Sequence, residues 1–366
     1  MYLRLLNHYL LTLRRFLFRM PAIIAGLLVL ILAGFFFFLM ITEFRPVRRS
    51  SLAVKGEGKP FDSCQQEFTI LTWNIGYAGL GAGADFFFDG GKSVRAGKMQ
   101  TEQYLGAIEK FISANDSVDF ILLQEVDVCS KRSWYINEYE RISELLPGFS
   151  NTFAANYNCR HIPMPLTEPM GSVLAGIVSF SQIKPYAASV QYFDAMFDWP
   201  LRMVLLKRCF TTLRYRLSDG KDLVLINTHN SAYDSIGTLR KRELFILDSV
   251  MQKEFHKGNY IIAGGDWNNN PRGFKPSTVL TGDIVTTVEP PIERGFFPGW
   301  QFVFDSLFPT NRNLNIPYTK GKTSSTIIDF FIVSPNVEVK MIKTIRMGFR
   351  FSDHEPVMMK IKIVTR

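Results

Sequence analysis

Residues 20–42, MPAIIAGLLVLILAGFFFFLMIT, run for 23 positions without one charged side chain. A helix on the surface of a water-soluble body keeps a polar face, and this run has none to offer. At about 1.5 Å per residue such a helix reaches roughly 34 Å, enough to cross a hydrocarbon core about 30 Å thick. A cleaved signal peptide has an apolar core of about 7–15 residues and a small-residue cleavage site. Here the run is longer, and TEFRPVRRS after it offers no such site. A buried core helix rarely stays apolar on every side for this length. The expectation is a retained transmembrane helix at 20–42 and a single-pass membrane protein. Residues 1–19 carry Arg4, Arg14, Arg15 and Arg19 and no acid. This basic N-terminal segment reads as the positive flank of the anchor. Arg45, Arg48, Arg49, Lys55 and Lys59 follow the span, so positive charge flanks both ends and the positive-inside bias leaves the orientation open. An extracytoplasmic body is the working expectation.

The formal net charge of +9 suggests nucleic acid until its location is read. Residues 1–60 hold nine Lys/Arg and two acids, and the rest holds 33 bases and 31 acids. The basicity therefore belongs to the anchor and its flanks, where it suits an anionic membrane surface. The body lacks the excess of a strong non-specific nucleic-acid binder, although a local patch stays open. No CxxC joins Cys64, Cys129, Cys159 and Cys209, which argues against a structural zinc site; pairing of Cys129 with Cys159 is left open.

Residues 43–66 are polar and read as a linker, and residues 67–366 as one domain. Within it, apolar β-like runs recur at 68–75, 119–127, 172–180, 201–217, 222–229, 259–267, 326–334 and 355–364. Helical spacing covers 101–115 and the stretch from Ser235 to Phe255. Many strands with few long helices predict an α/β fold of two packed sheets with helices outside.

Polar residues stand at the tips of these runs: Asn74, Glu125, His229, Asp266, Asn268, Asp329, Asp353 and His354. Such groups beside a core are costly unless paired or metal-bound. Asp329, set among large apolar neighbours in TIIDFF, is the hardest to explain as ordinary surface polarity. Carboxylates and amide oxygens together suit a hard divalent cation such as Mg²⁺. GKS at 91–93 and GKT at 321–323 lack the earlier glycine of a phosphate loop, and no GxSxG or HExxH occurs.

The motifs TWNIG, LLQEVD, NTH, GGDWN, IDFFIVS and SDHEPV, in this order, resemble those of the endonuclease/exonuclease/phosphatase superfamily over residues 67–366, here as a membrane-anchored, bacterial-type member. The resemblance implies a deoxyribonuclease I-like four-layer α-β-β-α sandwich, preceded in this chain by the transmembrane helix. It implies an Mg²⁺-dependent hydrolase, with Mn²⁺ as a substitute. Carried over residue by residue, Glu125 is the principal metal ligand, and Asn74 and Asp353 help hold the cation. Asp266 activates the attacking water and Asn268 fixes that acid. His354 donates to a phosphate oxygen and Asp329 holds its other ring nitrogen. His229 stabilises charge on the phosphoryl group. Trp267 stands where Phe is usual, a change between aromatics. In 153–181, Asn156 and Arg160 are candidates to touch substrate.

The expected substrate is a phosphate ester. A lipid headgroup is favoured, a DNA or RNA nuclease is the alternative, and a catalytically silent binding module is a second one. No obligate protein partner is expected.

Overall fold

The computed structural model describes residues 2–62, 64–234, 237–278, 284–286 and 290–364, and the side chain of Arg4 lies outside the described set. Two compact units divide between Glu43 and Phe44. The first is α1, Tyr2–Thr42, a continuous helix with Pro21 inside it. The basic segment and the apolar run are thus one helix. Its stretch His8–Thr42 is long and apolar enough to cross a membrane, a test that an N-terminal signal sequence also passes.

The second unit begins with β1 (Arg49–Ser51), β2 (Glu67–Asn74), α2 (Lys98–Ala114), β3 (Phe120–Asp127) and α3 (Glu138–Leu145). There follow β4 (Ser150–Ile162), β5 (Gly171–Ser181), β6 (Ala187–Tyr192), β7 (Cys209–Arg216), β8 (Asp222–His229), α4 (Thr238–His256) and β9 (Tyr260–Asp266). The chain closes with β10 (Ile284–Val285), β11 (Gln301–Val303), β12 (Asn311–Arg312), β13 (Ser324–Thr326), β14 (Asp329–Val333), β15 (Val337–Thr344) and β16 (Val357–Ile363). One large sheet has the order β1-β6-β7-β8-β9-β14-β11 and the other β15-β16-β2-β3-β5-β4, with a small sheet β10-β13-β12 beside them.

Why the central strands read as unbroken apolar runs follows from their burial on both faces. In β2 and β3, Phe68, Ile70, Phe120 and Leu122 point inward between the sheets, where they meet Leu225, Ile262 and Phe331. The alternate residues Leu71, Trp73, Ile121 and Leu123 point outward against Leu105 and Ile108 of α2 and Ile142 of α3. On the far side, Val224, Ile226, Ile261 and Phe330 receive Leu244, Leu247 and Met251 of α4. Each large side chain taken wholly out of water contributes about 1.5–3 kcal/mol, so the layered order α-β-β-α follows from the pattern.

The structure departs from the sequence reading in particular places. Part of the expected linker 43–66 is structured: β1 pairs antiparallel with β6, and Leu52, Val54 and Phe61 pack on the inter-sheet core. An edge strand needs only its backbone groups and alternate side chains, so polar composition conceals it. The run 201–217 is strand only from Cys209, because Leu201–Met203 is a single tight turn. β4, β6, β15 and α3 have no counterpart among the sequence expectations. For α3 the signal is present, since the Asn137 side chain accepts from the Glu140 amide at 3.1 Å as an N-cap.

Strand pairing positions the site. β2 runs parallel to β3 and β8 parallel to β9, so their C-terminal ends coincide in each sheet. His229 lies opposite Asp266 in the β8–β9 register, and Asp329 lies opposite Asp266 in the β9–β14 register. The Gly264–Gly265 pair permits this approach. A Cβ on Gly265 would stand 1.9 Å from the Thr228 carbonyl oxygen, and one on Gly264 would stand 2.4 Å from the Phe331 ring.

Candidate active site

Eight of the ten residues singled out in the sequence converge at the ends of the central strands. Asn74 donates through Nδ2 to Asp266 Oδ2 at 3.0 Å and reaches Glu125 Oε1 at 3.4 Å, tying the two sheets together. Asp266 accepts at Oδ1 from the Asn268 backbone amide at 3.0 Å. Asn268 itself has φ +47° and donates through Nδ2 to the Asn230 carbonyl at 3.0 Å. Glu125 has φ +55° at a break in the β3–β5 register. Left-handed backbone at a non-glycine residue costs about 1–3 kcal/mol and persists where the surroundings fix it, as at functional sites. The effect here is to turn the Glu125 carboxylate outward. Its side chain is 22% exposed while that of Asp266 is 3% exposed.

Opposite Asp266, His354 Nδ1 lies 2.8 Å from Asp329 Oδ2. Its Nε2 is 3.0 Å from the Asn311 amide, 3.7 Å from Asp353 Oδ2 and 3.9 Å from Asp266 Oδ2. Burial opposes protonation of this ring, but Asp329, Asp353 and Asp266 outweigh it and hold its pKa well above the usual value. Burial pushes Asp266 up to about 7, against the pull of His354 and the Asn74 hydrogen bond. Asp353 is raised to about 6, again first by burial and then by the neighbouring Glu125 charge. His229 is held well below its usual value by burial and by Arg208. Its Nε2 lies 2.5 Å from Arg208 Nη1 and 3.4 Å from Asp266 Oδ2. The surroundings thus favour the charged form of one imidazole and the neutral form of the other.

Asn156 and Arg160 make no hydrogen bond to these eight residues, although Tyr157, next to Asn156, has its ring 5.7 Å from the Arg132 guanidinium. β4, which carries both, is the edge strand beyond β5, two places from β3. Asn156 is buried and its carbonyl accepts from the Lys207 amide at 2.7 Å, whereas Arg160 is exposed.

Two arginines that the sequence reading overlooked lie within the site. Arg208 is 7% exposed and meets His229 because Cys209 pairs with His229 across β7 and β8. Arg132 is 5% exposed and grips Asp127 through Nε at 3.1 Å and Nη2 at 2.9 Å. It lies 3.8 Å from the centre of the Tyr77 ring and 4.0 Å from Glu125 Oε2. Asp127 in turn donates its amide to Glu138 at 2.9 Å. Arg132 thus backs the acidic strand tip from behind. Arg132→Ala leaves Asp127 buried beside Glu138 without its cation. A loss of about 3–5 kcal/mol is expected, read as a lowered thermal midpoint of the full-length protein. Of the two, only Arg132, in SKRSW five positions after Asp127, had a sequence signal.

The donor set fits a hard divalent cation. Glu125, Asp266 and Asp353 gather acidic oxygens around the amide of Asn74, and burial raises two of these acids toward neutrality, as expected of carboxylates short of positive charge. Asp266, Asp329 and His354 also present ligand atoms within 4.8 Å of one another. The His354–Asp329 hydrogen bond already occupies that trio, so the accessible Glu125 side is the better cation position.

The arrangement of sheets and helices matches solved structures. An endonuclease/exonuclease/phosphatase from Beutenbergia cavernae aligns with TM-score 0.51 and 16% identity, over 82% of this chain and 72% of that one. The human Nocturnin catalytic domain with bound sulfate anion aligns with TM-score 0.52 and 14% identity, over 86% and 97%. The chain has the endonuclease/exonuclease/phosphatase fold. A structure of that fold from Bacteroides vulgatus aligns with TM-score 0.50 and 14% identity, over 82% of this chain and 100% of its own. No family model matches the sequence, and no curated protein matches it. The likeness is therefore one of fold, and the chemistry must be argued from the side chains.

Proposed function

We propose that this chain is an Mg²⁺-dependent phosphoesterase of the endonuclease/exonuclease/phosphatase type, tethered to a membrane by α1, that hydrolyses phosphodiester or phosphomonoester bonds by in-line attack of water. One observation carries the reading: Asp266, held by Asn74 and Asn268, faces a His354 ring whose Nδ1 is paired with buried Asp329. A base and an imidazole donor thus flank one space, which is what water attack at phosphorus requires. Asp266 accepts the proton of the attacking water. His354 donates through Nε2 to a phosphoryl oxygen, and Arg208 beside His229 supplies further positive charge. Glu125, Asn74 and Asp353 would hold the cation, which when bound neutralises charge on the phosphoryl oxygens. The sulfate in the Nocturnin structure is a tetrahedral anion of the same shape as phosphate, which supports the reading. The tether rests on the exposed apolar surface of α1, where Leu30 is 70% and Ile31 66% exposed, a patch no soluble monomer sustains.

Full-length protein in detergent, given Mg²⁺, should hydrolyse at least one of sphingomyelin, phosphoinositides, plasmid DNA, RNA or a generic phosphodiester. Hydrolysis of none, or hydrolysis that survives a chelator, would overturn the proposal. Cation binding should also depend on pH. Asp353, one of the residues that would hold the cation, is raised to about 6, so it must lose a proton that it holds below that value. Mg²⁺ affinity should therefore rise as pH climbs from about 5 to about 7 and level off above, with proton release on binding. Calorimetric titration in buffers of different ionisation enthalpy reads both.

A further inference from the structure

We propose that the loops at the active-site end of the sandwich form a lipid-facing rim, which seats the mouth of the site on an anionic bilayer surface so that substrate is taken from lipid headgroups. This rests on the phosphoesterase reading above and names its substrate class. Because Asn74 of β2 meets Asp266 of β9, the connections after β2, β3, β8 and β9 open at one end of the molecule. The antiparallel pairings bring the β4–β5 turn and the β6–β7 connection to that same end.

Large apolar side chains are exposed on these connections. Leu166 of the β4–β5 turn is 80% exposed, Tyr135 after β3 is 57%, and Trp199 and Leu201 before β7 are 56% each. Phe88, after β2, is also exposed. The opposite end, with turns at 115–119, 182–186, 217–221, 257–259 and 334–336, exposes Tyr186 among its described residues, with Leu145 and Val364 at the ends of α3 and β16. Apolar exposure is thus gathered around the catalytic mouth, the pattern of an interaction surface.

Three observations select a lipid interface as its occupant. Leu166 and Leu201 have no π-face on which a base could stack, but aliphatic side chains interleaved with Trp and Tyr suit the boundary between water and acyl chains. Exposed Lys92, Arg160 and Lys322 stand on the same end, among the exposed acids Glu168, Asp194 and Asp198, and offer cations to lipid phosphates. The body also begins there: β1 runs antiparallel to β6, the Tyr192 amide donates to the Arg48 carbonyl at 2.8 Å, and the ring of Phe44 lies 6.1 Å from that of Tyr192. The segment that follows the apolar helix in sequence therefore enters at the site end. Arg160, exposed on β4, has a place on this rim.

Tryptophan emission tests the proposal in the full-length protein. α1 contains no tryptophan, and Trp73, Trp267 and Trp300 are buried, so only Trp134 and Trp199 are exposed. In nanodiscs of phosphatidylcholine and phosphatidylglycerol, brominated acyl chains should quench the emission. Trp199→Ala, or Leu166→Asp with Leu201→Asp, should remove much of that quenching. The double variant should also lower hydrolysis of bilayer lipid by about tenfold or more, since two apolar side chains no longer enter the interface, and leave hydrolysis of soluble bis(p-nitrophenyl) phosphate unchanged. Equal emission with brominated and ordinary lipid would overturn the rim. So would a single-stranded oligonucleotide that shifts Trp199 emission when lipid does not, which would make the rim a nucleic-acid surface. If the wild-type protein cleaves neither lipid nor soluble diester while quenching persists, the phosphoesterase reading fails and the rim stands.

Discussion

Asp329→Asn is expected to lower kcat by about 10³–10⁴-fold with little change in substrate affinity, an effect of the size seen when the acid behind a catalytic imidazole is made neutral. Asp329 Oδ2 lies 2.8 Å from His354 Nδ1, and the acid is fully buried on β14. Its charge is the first of the influences that raise the His354 pKa against the cost of burial. Asparagine keeps the shape but not the charge, so the ring loses its proton at a lower pH and Nε2 stops donating to the phosphoryl oxygen. Two readouts separate this from structural damage. The pH profile should move, with the limb that reports the protonated ring shifted toward acid, and the far-ultraviolet circular dichroism should stay unchanged. A variant with wild-type kcat and an unshifted profile would remove His354 from the chemistry.

Asp266→Ala is expected to lower hydrolysis by about 10²–10⁴-fold, the contribution of a positioned base. Asp266 is 2% exposed, and its two oxygens are taken by Asn74 and by the Asn268 amide, so it is aimed rather than free to turn. Its raised pKa, about 7, places it where a carboxylate can accept a proton from water near neutral pH. Alanine here also removes a buried acid from beside His229 and His354. Folding should therefore survive, and the measurement is the initial rate on whichever ester the wild-type protein cleaves. A rate within threefold or so of wild type would assign the base elsewhere, because a lost general base cannot cost so little.

The sequence carried much of the fold for a local reason. Strands buried on both faces must be apolar through their middles, as at Phe120–Leu123 and Leu223–Ile226, and the helix Lys98–Ala114 must present Leu105, Ile108 and Ile112 on one side. Edge elements escaped because half of their surface faces water. β1 and β15 carry exposed polar or charged side chains that give composition nothing to register. The eight clustered residues were legible because each breaks the local rule, a polar group at the tip of an apolar run. Asn156 and Arg160 were named only from the segment they lie in, and strand order set them two places from β3.

What the sequence determined by itself is the set of side chains available for chemistry and an apolar helix long enough to cross a bilayer. Only the tertiary structure decided which of them share a field. Asp329 and His354 are 25 residues apart, Asn74 and Asp266 are 192 apart, and no periodicity spans such distances. Arg208 reaches His229 through the register of β7 on β8, and Arg132 reaches Asp127 by a fold of the loop after β3. Local pattern records whether a residue is buried, whereas charge, protonation and reach depend on what it is buried against.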